Sequence, residues 1–383
     1  MTARTIGSSV VARTPDDTYI LNYCARHLAR DRAIRRHDFG QYVAGDPRSA
    51  VLEAWRFPIV DGDFDSTAFS AATLADARRD VVRDAYQHNL VTFVYEDNAE
   101  NPARSVSVYG TFAPLYESVA LRRVTDTPWW TASVRVEKGA VHLYRYRIDA
   151  VDHVDPLNPQ LVTNGGSAWS RFFTHECFVP LVFEAREREV LTKLIEHVLP
   201  FRGRESELFL DRQVRSRSEE LRERGLYDRS EPLRLAVEVG VVNFIDKLLA
   251  REEAHHLVDY RLCLRQIQRV LRERFPRVRP ADIPQPEYVE LYEAVSKCTG
   301  PLSATPKLSG WRFDEYQNPS NFLGLLRRHA ITGAFAHPRY GGNVSAMGWR
   351  YLEELVVGAE GQSHFNWRRS IEWPLGDNEA YRG

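Results

Sequence analysis

Apolar positions along this chain change their period twice. Up to about Asn89 the pattern is mixed: Tyr19 to Arg32 reads as a helix, and "AATLADARRDVVRDAYQHN" (Ala71 to Asn89) reads as another, with Leu74, Ala77, Val81, Val82 and Ala85 near one face. From Leu90 the period becomes two. "LVTFVYED", "RSVSVYGTF", "WWTASVRVE" and "VHLYRYRID" are short β-branched and aromatic runs divided by turns rich in Asn, Pro and Gly. In the last of these, His142, Tyr144, Tyr146 and Ile148 form an apolar-aromatic side, while Val141, Leu143, Arg145, Arg147 and Asp149 take the other. Several such strands close together predict a small antiparallel β-sandwich.

From about Glu184 the period becomes helical. "REREVLTKLIEHVL" (Arg186 to Leu199) stops at Pro200, and "EELRERG" closes a heavily charged helix with a solvated face. "SEPLRLAVEVGVVNFIDKLLA" starts with Ser230 as N-cap and Pro232 in the first turn. Its Leu233, Ala236, Val237, Gly240, Val241, Phe244 and Leu248 follow one face, and Val242, Ile245 and Leu249 add a second, which predicts a helix at the centre of a bundle. "LVDYRLCLRQIQRVLRERF", "EYVELYEAVSKC" and "NFLGLLRRHAITGAFA" supply further helices, and the tail after Leu352 carries few helix signals. The fold class is therefore α+β and multidomain, a small antiparallel immunoglobulin-like β-sandwich followed by an α-helical bundle. The expected boundaries are 1–89 for a mixed, partly helical region, 90–176 for the sandwich, and 177–383 for the helical domain with its tail.

A chain of 383 residues with 43% hydrophobic and 27% charged residues has the profile of a globular protein of more than one domain. Its formal net charge of −1 gives no general pull toward nucleic acid or anionic lipid, and no run is long and apolar enough for membrane insertion. The N-terminus has no apolar core of signal-peptide length, and Arg35-Arg36 lacks the apolar region of an export signal, so the expected location is cytoplasmic. Cys24, Cys177, Cys263 and Cys298 lie far apart without a CxxC pair, which reads as buried free thiols rather than a zinc site or a disulfide framework.

Catalytic motifs are sparse. His255 and His256 are adjacent, not one helical turn apart, and Glu252 with His256, or His175, Glu176 and Cys177, make a weak metal pattern at best. No GxGxxG, GxxxxGK[ST] or GxSxG motif occurs, so this reading assigns no catalytic residue, no metal and no cofactor to the chain itself. The most elaborate stretch is "HPRYGGNVSAMGW" (His337 to Trp349). Pro338 ends a helix, Gly341 and Gly342 allow close backbone approach, Asn343 can hydrogen-bond nearby backbone and start the next helix, and Gly348 lets Trp349 lie flat against another backbone. Two readings stay open: the stretch packs Trp349 into the bundle, or it presents Tyr340, Asn343 and Trp349 to a partner.

Two resemblances follow from these residues. "VTFVY", "SVSVYGTF", Leu121-Arg122, "TPWWTASVRVEKGAVHLYRYRID" and "VDPLNPQLVTNGGSAWS" come in the order of the glycogen-binding-type sandwich of isoamylase-like enzymes and related early-set domains. That resemblance implies an early-set sandwich. The family's sugar-binding tryptophans are replaced at Leu115 and Asp152, and a glycan would then have only Trp129 and Trp130 as candidate stacking rings. "LTKLIEHVLP", "AVEVGVVNFIDKLLA" and "FLGLLRRHAITGAFAHPRYGGNVSAMGW" resemble the small subunit (subunit 3, or gamma) of gluconate 2-dehydrogenase and related sugar dehydrogenases, over about Glu184 to Arg350. This resemblance implies a non-catalytic accessory subunit that binds and supports a glucose–methanol–choline-type flavoprotein. FAD would sit on that partner and none in this chain. His337, Tyr340, Gly341, Gly342, Asn343, Gly348 and Trp349 are then the expected partner-binding residues, with a free-standing glycan-binding protein as the alternative.

Overall fold

The computed structural model describes residues 17–28, 33–34, 52–53, 56–62, 88–98, 100–124, 126–199 and 239–367. Two compact units divide the chain, with Val179 ending the main run of the first and Pro180 opening that of the second.

The first unit opens with α1 (Asp17–Leu28) and a short ladder of β1 (Ala33–Ile34) with β2 (Leu52–Glu53). Next come β3 (Ile59–Gly62), β4 (His88–Glu96), β5 (Val106–Gly110), β6 (Val119–Ala120), β7 (Arg122–Arg123), β8 (Trp129–Glu137), β9 (Val141–Ile148), β10 (Val151–His153), β11 (Leu161–Asn164) and β12 (Ser167–Phe173). They form a four-stranded sheet, β3-β4-β8-β7, and a six-stranded sheet, β11-β12-β9-β5-β6 with β10 on β9. Every pairing is antiparallel.

Alternation along the strands builds the core between these sheets. Tyr144 and Tyr146, on the apolar-aromatic side of β9, are completely buried. Phe93 of β4 meets Tyr144 at 5.1 Å and Phe172 of β12 at 5.6 Å, ring to ring. Buried hydroxyls need partners: Tyr146 donates to Val94 O at 2.9 Å, and Tyr144 donates to Asp155 at 2.5 Å. Asp155 also accepts from Leu157 N, and Asn158 donates to Tyr144 Oη, so the Asp-Pro-x-x-Pro turn is tied to the middle of the sheet. On the other side of the four-stranded sheet, Ile20 and Cys24 of α1 pack with Phe57, Ile59, Val94, Val124 and Leu157.

The second unit contains α2 (Ala185–Val198), α3 (Val241–Ala250), α4 (Leu257–Arg274), α5 (Gln285–Ser296), α6 (Pro319–Phe335) and α7 (Met347–Leu355). Glu184 and Glu187 form a reciprocal capping box at the start of α2. The apolar helix α3 buries Val241, Val242, Phe244, Ile245, Leu249 and Ala250, as expected of a central helix, and packs against α6 and α2. The fold is thus a β-sandwich followed by a helical bundle.

Some elements differ from the sequence reading. The helix expected over 71–89 lies outside the described residues up to 87, and its last two residues, His88 and Asn89, open β4 instead. The helix expected from Ser230 is not continuous: its start lies outside the described residues, and Gly240 adopts a left-handed conformation (φ 77°) just before α3. A Cβ there would come within 2.7 Å of Val344, so the break serves packing against the 341–344 segment. A helix does follow Asn343 as expected, α7, and only its last three residues, Glu353 to Leu355, fall in the tail after Leu352 where helix signals are few. All four cysteines are free and buried. Among the described residues no helix is long and apolar enough to cross a membrane.

Candidate partner-binding site

His337 to Trp349 links α6 to α7, and its geometry follows from helix ends that leave carbonyls and amides without partners. Pro338–Tyr340 forms one tight turn in which His337 Nδ1 accepts from Arg339 N at 3.1 Å. Asn343, completely buried, then makes two bonds that splice the helices. Its Nδ2 donates to Ala336 O at 2.8 Å, at the end of α6, and its Oδ1 accepts from Gly348 N at 2.7 Å, in the first turn of α7. Trp349 Nε1 donates to Phe335 O at 2.7 Å, closing another open carbonyl of α6.

Two glycines permit this contact because nothing larger fits. A Cβ on Gly348 would lie 1.9 Å from Ala334 O, and one on Gly342 would lie 2.3 Å from Gly333 O. Backbone-to-backbone approach of this kind admits only hydrogen. From the other side, Asn243 of α3 donates to Gly341 O at 2.8 Å, and Lys247 Nζ bonds Asn243 Oδ1 at 3.1 Å and Asp246 at 3.0 Å. Asp246, itself buried, accepts from the backbone amides of Leu181, Val182 and Phe183. A chain of polar contacts therefore runs from the loop through α3 to the segment before α2.

The aromatic side chains of the stretch form a file. Tyr340 stands 6.5 Å from His337, His337 stands edge-on to Trp349 at 5.7 Å, and Trp349 packs on Trp367 at 5.5 Å. Trp367 is buried and donates to Glu353 at 3.1 Å. Tyr340, at the opposite end, is 46% exposed, with the Arg339 guanidinium 4.8 Å above its ring and bonded to its hydroxyl at 2.7 Å.

The structure thus gathers all seven residues expected here but sorts them by depth. Gly341, Gly342, Asn343 and Gly348 are buried and hold the backbone, His337 and Trp349 are half-buried, and Tyr340 reaches solvent. The pair Trp129 and Trp130 is not brought together. Consecutive strand residues point to opposite faces, so Trp129 packs against the α1 cluster while Trp130 lies opposite Tyr95. Their indole N–H groups turn to Glu96 at 3.5 Å and Asp97 at 3.3 Å.

A second polar cluster in this unit was missed by the sequence reading. His329 of α6 bonds Glu253 Oε2 through Nε2 at 2.8 Å and Tyr260 Oη through Nδ1 at 2.9 Å. Arg328 also bonds Glu253, at 2.6 Å. His256 bonds Asp259 at 3.0 Å, and Tyr316 donates to the same carboxylate at 3.0 Å. The hydrogen bond from His329 brings the Glu253 pKa down to about 2, and burial pushes that of His329 below the usual imidazole value. The partners lie some seventy residues apart, beyond any spacing motif. Of the residues weighed as a metal pattern, His256 joins this cluster, His175 bonds Asn89 and Glu176 pairs with Lys138. Among the described residues no group of His, Cys, Asp and Glu is arranged to hold a metal ion.

Residues 185–353, the greater part of the helical unit, match the family described as Gluconate 2-dehydrogenase subunit 3. No curated protein matches the chain. Among solved structures it is similar to ferric enterobactin esterase from Salmonella typhimurium, at 19% identity and a TM-score of 0.22, covering 24% of this chain and 33% of that one. It is also similar to enterochelin esterase from Shigella flexneri, at 18% identity and a TM-score of 0.22, covering 24% and 32%. The chain thus spans about a third of the length of these esterases.

Proposed function

We propose that this chain is a non-catalytic accessory subunit of a sugar or polyol dehydrogenase complex, and that its helical unit holds a glucose–methanol–choline-type flavoprotein carrying FAD. The observation that carries this reading is the match of residues 185–353 to a dehydrogenase subunit family. The 337–349 loop supports it. A buried backbone held by Asn343 fixes the file of rings and leaves Tyr340 in water, a rigid aromatic anchor of the type found at interface centres. Ile331, Leu355, Val356 and Val357 are further apolar side chains of this unit in contact with solvent. The buried residues act by positioning Tyr340 rather than by touching the partner.

Co-expression with such a flavoprotein, followed by size-exclusion chromatography, tests this. A yellow complex containing both chains is expected, with association weakened by about tenfold or more in Tyr340→Ala at unchanged thermal stability. Separate elution of the two chains would overturn the proposal, as would flavin and sugar-oxidising activity in this chain purified alone.

A further inference from the structure

The outer face of the six-stranded sheet holds an arginine with no hydrogen-bond partner among the described residues. Alternation sends Tyr144 and Tyr146 of β9 into the core and Arg145 and Arg147 to the opposite face. Tyr109 of β5 lies opposite Arg145. Ser170 of β12 lies opposite Tyr144, so its neighbour Trp169 comes alongside Arg145, with Val162 of β11 beyond it. Arg171 of β12 and Asp152 of β10 share the face, giving three arginines against one carboxylate among its strand residues.

Arg147 and Arg171 have partners. Arg147 Nε bonds Asp152 at 2.9 Å with its guanidinium 4.8 Å over Tyr109, and Arg171 donates to Gln160 at 2.9 Å. Arg145 differs. Its guanidinium stands 5.6 Å over the Trp169 ring and has no hydrogen bond or ion pair with the described residues. Its Nε, like that of Arg171, is buried without an acceptor, and its charge reaches Asp152 only from beyond ion-pair distance. Arginine presents donors in a planar fork that matches a carboxylate, and donors shielded from water without a partner are costly. Against the same Trp169 ring stands Tyr116, at 6.0 Å. It sits in a turn where both Leu115 (φ 52°) and Tyr116 (φ 57°) are left-handed, an unfavourable state for such residues that keeps both in solvent.

We propose that this face binds a small organic carboxylate. The carboxylate takes the two terminal nitrogens of Arg145, which are not shut off from solvent as its Nε is, and a flat C–H or π surface of the same molecule lies against Trp169 and Tyr116. Sugar acids and aromatic acids share that chemistry; a neutral sugar lacks the charge that Arg145 calls for. The site lies in the sandwich and is independent of the partner reading.

Calorimetric titration of the full chain with D-glucuronate, indole-3-acetate and neutral methyl glucoside tests it. Saturable binding of at least one acid is expected, and the tighter acid identifies the class. Arg145→Gln should weaken that binding by about tenfold or more, Trp169→Ala should weaken it as well, and Arg145→Lys should recover only part, because it keeps the charge without the fork. Circular dichroism shows whether each variant is folded, and Arg145→Lys serves as the readout if Arg145→Gln is not. No saturable binding of either acid, undiminished binding in the folded arginine variants, or equal binding of the neutral glucoside would each overturn the proposal.

Discussion

Two polar sites, one in each unit, stand in contrast: Asn343 with Asp246 in the helical unit, and Arg145 on the sandwich. In the helical unit Asn343 and Asp246 are withdrawn from water, and each side chain is bonded in full view of a helix end or a backbone segment that needs it. On the outer face of the sandwich, Arg145 is partly withdrawn from water and bonded to nothing described. Satisfied buried polar groups fix one backbone arrangement, and an unsatisfied one stores binding capacity at some cost in stability. The difference separates residues that build a site from residues that receive a ligand, and substitutions can break it at graded cost.

The largest effect is expected at Gly348. Adding one methyl group places a carbon 1.9 Å from Ala334 O, and both atoms belong to backbones that would have to move. Gly348→Ala should destabilise the helical unit by about 3 kcal/mol or more, read from urea unfolding, because overpacking against backbone leaves no rotamer to relax into. Asn343→Ala follows. It leaves Ala336 O and Gly348 N without their partners and should cost about 2–3 kcal/mol. Asn343→Asp keeps the acceptor for Gly348 N but loses the donor, so it should retain part of that stability only.

How much of this was legible in the sequence depends on the distance over which each feature acts. Strand β8 was read with its observed ends, and the two faces of β9 were read correctly, because strand periodicity is local. The splice at Asn343 was partly legible, since its partners lie seven residues before and five after. The break at Gly240 was not. Its glycine looks like one apolar helix position among others, and only the approach of Val344, a hundred residues on, requires a left-handed turn there. Trp129 and Trp130 are both candidate stacking rings by residue type, yet neighbours in a strand face apart, so one glycan face cannot use both. The Arg145 site was hidden likewise: its face could be read from alternation, but the rings of Tyr109, Tyr116 and Trp169 come from three other segments.

Acid tests the satisfied cluster of the helical unit. Neutral His329 donates Nε2–H to Glu253 and accepts from Tyr260 at Nδ1. Protonation removes that acceptor and adds charge beside Arg328 and His256, and burial accordingly lowers the folded-state pKa below 6.5. A lowered histidine pKa gives stability that is complete above 6.5 and lost as pH falls through the folded value. Glu253, held near 2 against an ordinary 4.5, gives stability present above 4.5 and lost toward 2. Urea unfolding should show a plateau above neutrality, a fall beginning near pH 6.5 and a further fall below 4.5. His329→Gln should flatten the first fall.

The smallest effect on stability should come from Arg145→Met, and its sign sharpens the comparison most. Two changes compete: the cation–π contact with Trp169 is lost, worth roughly 0.5–1 kcal/mol at such a site, and the unmet Nε is removed, which relieves roughly 1–3 kcal/mol of uncompensated desolvation. Methionine keeps an unbranched stem and a sulfur that packs favourably on the indole. The net change should fall between about zero and a small gain in urea unfolding, where Asn343→Ala loses heavily. A loss as large as that of Asn343→Ala would mean that Arg145 is structural, whatever binds to the sheet.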